Sequence, residues 1–325
     1  MNGRDSLSKT APDADQTFAP LATHLSPNGR LRRTWPLAGG ISADMTAVEM
    51  EDGNGRAQKF VVRQYGPAHQ QQNPHIAAHE FQLLRRLQDA GIAAPPPHYA
   101  DPAGALLGKP CLVMGYIEGQ LDFAPADLPQ AMRQFAHHLA QIHSLTDAKL
   151  GWPLLPRLGV ACPELARPQS DSALETAPLR RALAAAVRPS SRTAVLLHGD
   201  YWPGNVLWQA GRLTAVIDWE DARLGDPLFD LSISRLDVAW IFGPAALSIF
   251  TQAYAAATAV DTTSLPYWDL CAVLRLARLA GTDLAAWVDF FKPYGRADIT
   301  VPWFQEQVQA FAKAALAQLT KRQNP

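Results

Sequence analysis

The stretch from Leu196 to Asp221, LLHGDYWPGNVLWQAGRLTAVIDWED, constrains the fold more than any other part of this chain. Leu196 and Leu197 run into the polar loop His198-Gly199-Asp200. Val206, Leu207 and Trp208 then form a short apolar strand, and Leu213 to Ile217 return as a second one that ends on Asp218. The intervening Gln209-Ala210-Gly211-Arg212 reads as a turn, with Gly211 free to take a positive φ. In an antiparallel hairpin the start of one strand lies beside the end of the other, so Asn205 and Asp218 are expected at one edge. Asp200 is one loop away from that edge.

Two carboxylates and an amide oxygen outside a hairpin suit a hard cation such as Mg²⁺, which keeps waters and is completed by substrate phosphates. A carboxylate offset from that cation can accept the proton of an attacking hydroxyl, the division of labour in kinase-type phosphoryl transfer. The plainer alternative is that these residues only cap and tie polar loops, as Asp and Asn often do.

HGDYWPGN followed by IDWE resembles the catalytic and metal-binding motifs of the aminoglycoside phosphotransferase/choline kinase family, a branch of the protein-kinase-like fold. The resemblance implies an α+β, two-lobed fold with an N-terminal antiparallel sheet plus a helix and a mainly helical C-terminal lobe. It makes Asp200 the catalytic base, Asn205 and Asp218 the metal ligands, and ATP with Mg²⁺ the cofactors. The downstream GDPLFDL is similar to the family's segment after the metal loop, where Asp230 would anchor the catalytic loop through backbone N–H groups. His198 is read as a buried hydrogen-bonding residue that supports the loop.

At 325 residues the chain can bury a large core in one two-lobed unit or two domains. Apolar residues at 48% and charged residues at 18% are ordinary for a globular enzyme, and a net charge of −1 argues against binding nucleic acid through a basic surface. No apolar run approaches a membrane span and the N-terminus lacks a secretory core, so a cytoplasmic protein is expected. Three scattered cysteines, Cys111, Cys162 and Cys271, suggest neither a disulfide framework nor a zinc site.

In chain order, residues 1–26 read as a mobile tail, 27–117 as a nucleotide-binding lobe and 118–325 as a catalytic and acceptor lobe. Strands are expected over Arg30 to Leu37 and Met45 to Met50, with Gly39, Gly40 and Ser42 between them. Such a turn can lay N–H groups over a phosphate, and Gly-Gly is equally a plain hairpin turn. Lys59 to Tyr65 is a β-branched and aromatic strand. By resemblance, Arg63 stands where a phosphate-contacting lysine or arginine is normal and pairs with Glu80 of the helix Ile76 to Ala90. Lys59, on the same strand face, competes for that role. Pro110 to Ile117 would be the hinge, with the Gly115 carbonyl and Ile117 N–H reading the nucleobase edge and Met114 behind it; a plain edge strand looks the same.

After Gly119 helices dominate. Leu128 to Leu145 carries His137, His138 and His143, read as packing and surface residues. Thr146 to Pro178 reads as an irregular insertion, and helices are expected over Leu179 to Val187, Asp230 to Phe242, Ala245 to Ala257, Tyr267 to Phe291 and Trp303 to Leu319. Trp240, Trp268, Trp287 and Phe290 on these helices suit a core better than a cleft. The expected function is transfer of the γ-phosphate of ATP to a hydroxyl of a small molecule. The rivals are a nucleotide-binding scaffold without turnover and a metal-dependent hydrolase built on His198, Asp200 and Asp218.

Overall fold

The computed structural model describes residues 14–37, 43–190 and 192–323. The chain divides into two compact units, Met1–Ile117 and Glu118–Pro325. The N-terminal unit runs α1 (Ala14–Leu25), β1 (Arg30–Pro36), β2 (Ala43–Glu51), β3 (Ala57–Tyr65), α2 (Pro67–Gln72), α3 (Ile76–Asp89), β4 (Pro97–Asp101) and β5 (Cys111–Gly115). Its five strands form one antiparallel sheet in the order β1-β2-β3-β5-β4.

The two-residue period of β3 decides which side chain meets which layer. Phe60 and Val62 join Val48, Met50, Cys111 and Val113 in a core cluster that also holds Phe18, Leu21 and Ala22 of α1. The alternate residues Arg63 and Tyr65 reach Glu80 of α3 instead. The expected tail over 1–26 is therefore corrected from residue 14 onward. Phe18, Leu21, Ala22 and Leu25 fall at i, i+3, i+4 and i+7, a helical stripe masked by Pro20 within the helix and by polar flanks. Residues 1–13 lie outside the described residues, as do Gly39, Gly40 and Ser42.

The C-terminal unit opens with α4 (Leu128–His143), α5 (Asp147–Leu150), α6 (Pro163–Ala166) and α7 (Ala177–Ala185). Four short strands follow: β6 (Val195–Leu197), β7 (Val206–Gln209), β8 (Arg212–Val216) and β9 (Arg223–Gly225). The chain ends in α8 (Pro227–Phe242), α9 (Pro244–Thr258), α10 (Leu265–Ala280), α11 (Leu284–Asp289) and α12 (Val301–Gln323). Helices α8 and α10 are buried along most of their length and pack on each other. Helix α8, hidden on nearly every side, accordingly shows little one-sided patterning in its sequence.

Three expectations change here. The segment 146–178 contains two single-turn helices, α5 and α6. The helix expected over Tyr267 to Phe291 is two, because Gly281 takes a left-handed φ of 59° and stops α10. Cys162 and Cys271 are joined in a disulfide with a Cα–Cα separation of 5.7 Å. Its partners lie 109 residues apart, so only the tertiary fold brings them together. Trp240 and Trp268 are fully buried, whereas Phe290 remains exposed. Among the described residues no helix is long and apolar enough to cross a membrane.

Candidate active site

The site in the C-terminal unit is built on two small antiparallel pairings. β6 pairs with β9, Leu196 opposite Leu224 and Leu197 opposite Arg223, which seats the loop 198–200 beside the segment that follows β8. β7 and β8 form the expected hairpin. Its two turn residues, Ala210 and Gly211, both have positive φ (51° and 73°), the geometry of a type I′ turn that matches the twist of the strands. Val206 pairs with Val216, and the Ile217 N–H donates to the Asn205 carbonyl at 2.9 Å. Asn205 and Asp218 therefore leave the same end of the hairpin.

Local sterics explain the glycine of His198-Gly199-Asp200. Gly199 has φ 85°, and a Cβ there would lie 2.3 Å from the Asp221 carbonyl oxygen. No side chain fits. Asp218 itself has φ 65°. Non-glycine residues seldom hold that conformation, Asp and Asn most readily, and such strain gathers at functional positions.

Asp200 is held from two sides. Its Oδ1 accepts from Arg275 Nη2 at 2.7 Å, and its Oδ2 accepts from Asn205 Nδ2 at 3.0 Å. The same amide also donates to the Asp200 carbonyl at 2.9 Å, which spends the nitrogen end of Asn205 and leaves its oxygen as the end suited to a cation. Two oxygen-bearing side chains at one hairpin end fit Mg²⁺, which takes only one or two protein carboxylates and completes its shell with phosphates and water. Among the described residues no group of three His, Cys, Asp or Glu is placed to hold a metal.

His198 is fully buried and both ring nitrogens are engaged. Its Nδ1 accepts from the Asp200 N–H at 3.3 Å, so Nε2 is the donor to the Ile217 carbonyl at 2.9 Å. It ties the loop to the end of β8, with no nitrogen left over for a metal.

Beneath the loop, the buried Asp230 of α8 accepts from the His198 N–H at 2.6 Å and the Gly199 N–H at 3.0 Å. His143 of α4 lies 3.4 Å from the same carboxylate through Nε2 and 2.6 Å from the Tyr254 hydroxyl through Nδ1. Burial alone would raise the Asp230 carboxyl. The hydrogen bond and field of His143, followed by those of His198, bring it below the usual carboxylate range instead. His143 is thus neither surface nor plain packing, correcting the sequence expectation. An isolated His at the end of an amphipathic helix gives no sign of a partner 87 residues away.

Arg275 of α10 and Asp237 of α8 also went unnoticed in the sequence. Burial pushes the Asp237 carboxyl up to about 7; the Trp240 N–H opposes this, the Asp200 charge adds to it, and the Arg275 charge opposes it. Its folded value lies above the unfolded one, near 3.9, so the native state holds the extra proton between them. Stability from this group is complete below the unfolded value and declines as pH rises toward about 7. Asp237→Asn keeps an oxygen for Trp240 Nε1 and removes the titration. Its stability relative to the parent protein should rise between pH 5 and pH 8, read by urea unfolding at each pH. A constant difference would exclude a titrating Asp237.

In the N-terminal unit Arg63 and Glu80 are both buried, with Arg63 Nη1 3.4 Å from Glu80 Oε1 and the Tyr65 hydroxyl donating to Glu80 Oε2 at 2.6 Å. Lys59 is exposed, its ammonium over the Tyr116 ring. Of the two competing cations, Arg63 is the one that meets Glu80. Met114 is buried in β5, and the Gly115 N–H donates to the Pro96 carbonyl at 2.8 Å, continuing the pairing of this interior strand with the β4 side.

An antiparallel sheet with a helix bearing a glutamate, followed by a helical unit carrying an Asp-loop and an Asp-terminated hairpin, defines a protein-kinase-like α+β phosphotransferase fold. The model of the phosphotransferase enzyme family (APH) matches residues 34–269. The chain belongs to that family.

It is similar to the macrolide 2′-phosphotransferase of Brachybacterium faecium, with 20% identity, a TM-score of 0.60 and coverage of 97% of this chain and 99% of that one. It is also similar to aminoglycoside 2′-phosphotransferase-IIIa, solved with GDP, with 16% identity, a TM-score of 0.60 and coverage of 94% and 99%. At these identities the likeness is one of fold. Acyl-CoA dehydrogenase family member 11 of Gallus gallus is 28% identical over 214 residues, 60% of this chain and 27% of that protein. The chain spans about a quarter of the length of the curated relatives it matches.

Proposed function

We propose that this protein is an ATP-dependent phosphotransferase that moves the γ-phosphate onto a hydroxyl of a small molecule. The observation that carries this reading is the Asp200 carboxylate, fixed at both oxygens, beside a hairpin end that presents Asn205 and Asp218. Asp200 takes the acceptor's proton as the new O–P bond forms. The bond from the γ-phosphorus to its bridging oxygen breaks, and ADP leaves. Because the transition state is loose, orientation of the acceptor counts for more than base strength.

The Asn205 oxygen and the Asp218 carboxylate would hold Mg²⁺, which supplies charge neutralisation on the phosphate oxygens. Arg63, steadied by Glu80, would grip phosphate oxygens with its planar fork. Met114, Gly115 and Ile117 would meet the nucleobase, and Gly39, Gly40 and Ser42 the phosphates. Solved relatives in complex with GDP, ADP and AMP support nucleotide use by this fold.

Calorimetry should register ATP binding that depends on Mg²⁺, and a panel of hydroxyl-bearing metabolites should contain acceptors that trigger ADP release. Binding without turnover on any acceptor would favour the scaffold reading instead.

A further inference from the structure

We propose that Arg275 is a positioning residue for phosphoryl transfer, setting the orientation of the Asp200 carboxylate from a helix 75 residues away in sequence. The inference rests on the reading of Asp200 as the base. It adds a component that neither the catalytic loop nor the hairpin supplies.

A carboxylate turns about its Cβ–Cγ bond, and one hydrogen bond leaves that rotation loose. Asn205 fixes Oδ2 from within the loop, and Arg275 fixes Oδ1 from α10. With both oxygens engaged, the plane of the carboxylate is set by two separate elements. A misplacement of about 1 Å in a reacting group can cost about 10²-fold in rate, which makes the second anchor kinetically significant.

The surroundings of Arg275 indicate a deliberately held side chain. Its side chain is 17% exposed, so its charge is largely withdrawn from water and long-chain rotamer freedom is lost. Two carboxylates offset this cost, Asp200 in the loop and Asp221 between β8 and β9, and Asp237 on α8 adds to them only once it ionises. Asp237 in turn accepts from Trp240 Nε1 at 2.9 Å, which gives that carboxyl a partner of its own. The guanidinium therefore sits among several acids and makes its 2.7 Å hydrogen bond to the one in the catalytic loop.

A structural ion pair tying α10 to the loop is the rival explanation, and α10 provides its own control. Arg278, one turn further along, makes a comparable pair with Glu164 at 2.8 and 3.2 Å, away from Asp200. Arg275→Gln should lower kcat by about 10²-fold with the ATP KM nearly unchanged, while Arg278→Gln keeps the parent kcat. Low-millimolar guanidinium should restore part of the turnover of Arg275→Gln and none of that of Asp200→Asn. Should Arg275→Gln fold poorly, Arg275→Lys retains the charge without the planar fork, and an intermediate kcat is expected.

Parent-level turnover in both Arg275 variants overturns the inference, as does lost turnover that guanidinium cannot restore in a folded variant. Faster turnover would make Arg275 a plug over Asp200 and overturn it too. A parent enzyme silent with every acceptor sinks the kinase reading and this inference together; an active parent with unaffected Arg275 variants sinks this inference alone.

Discussion

Asp200→Asn is expected to reduce turnover by about 10²- to 10⁴-fold, the usual contribution of a positioned proton acceptor, while ATP still binds with Mg²⁺. The substitution preserves shape and removes both the charge and one acceptor. In the parent protein Oδ1 receives Arg275 and Oδ2 receives Asn205. An amide has a single oxygen, so its NH₂ must face one of those donors, and the side chain rotates or loses a partner. Proton acceptance and orientation are thus damaged together. The assay is single-turnover phosphoryl transfer on an acceptor found in the ADP-release panel, paired with calorimetry for ATP. Unimpaired transfer would falsify the role given to Asp200.

Asp230→Asn is expected to destabilise the C-terminal unit by roughly 3–5 kcal/mol, the range for breaking a buried charged partnership. The Asp230 carboxylate accepts two backbone N–H groups and faces His143 Nε2. Asparagine offers one oxygen, so one loop N–H is left facing an NH₂ inside the core, at the full desolvation penalty of an unmade hydrogen bond. Tryptophan emission is a suitable probe: of the nine tryptophans only Trp35 lies in the N-terminal unit. The pH dependence gives a second check. The Asp230 carboxyl is lowered in the folded state, so its stabilisation is present above the unfolded value, near 3.9, and is lost as pH falls through the folded one. The gap between parent and variant should accordingly narrow in acid. A gap that stays constant into strong acid would contradict an ionised Asp230 as the source of the stabilisation.

The two variants separate chemistry from scaffolding. Asp200→Asn should remain folded with little turnover, whereas Asp230→Asn should lose stability first and activity as a consequence. Equal melting behaviour for the two would show that Asp230 is not the tether of the loop.

The loop, the hairpin and the residues they carry were legible because their geometry is local. The hairpin turn places Asn205 and Asp218 through near-neighbour pairing, whereas the need for glycine at position 199 comes from Asp221, brought alongside by the β6–β9 pairing. Arg63 and Glu80 were legible only through family resemblance; nothing in a strand arginine and a helix glutamate announces that they meet. The burial of α1 was missed because Pro20 interrupts the usual helix signal. Arg275, Asp237 and His143 gave no signal at all. Each sits on a helix among apolar residues, and its partners come from other elements.

Residue pattern alone was enough for the strand-rich first unit, the helical second unit and the hairpin, because period and turn chemistry act over a few residues. The tertiary structure alone decided which distant side chains secure that loop: His143 and Asp230 beneath it, and Arg275 against the Asp200 carboxylate. The reason is physical. A buried charge is tolerated only where packing delivers a partner to it, and that delivery depends on how whole helices stack rather than on the residues beside it in the chain.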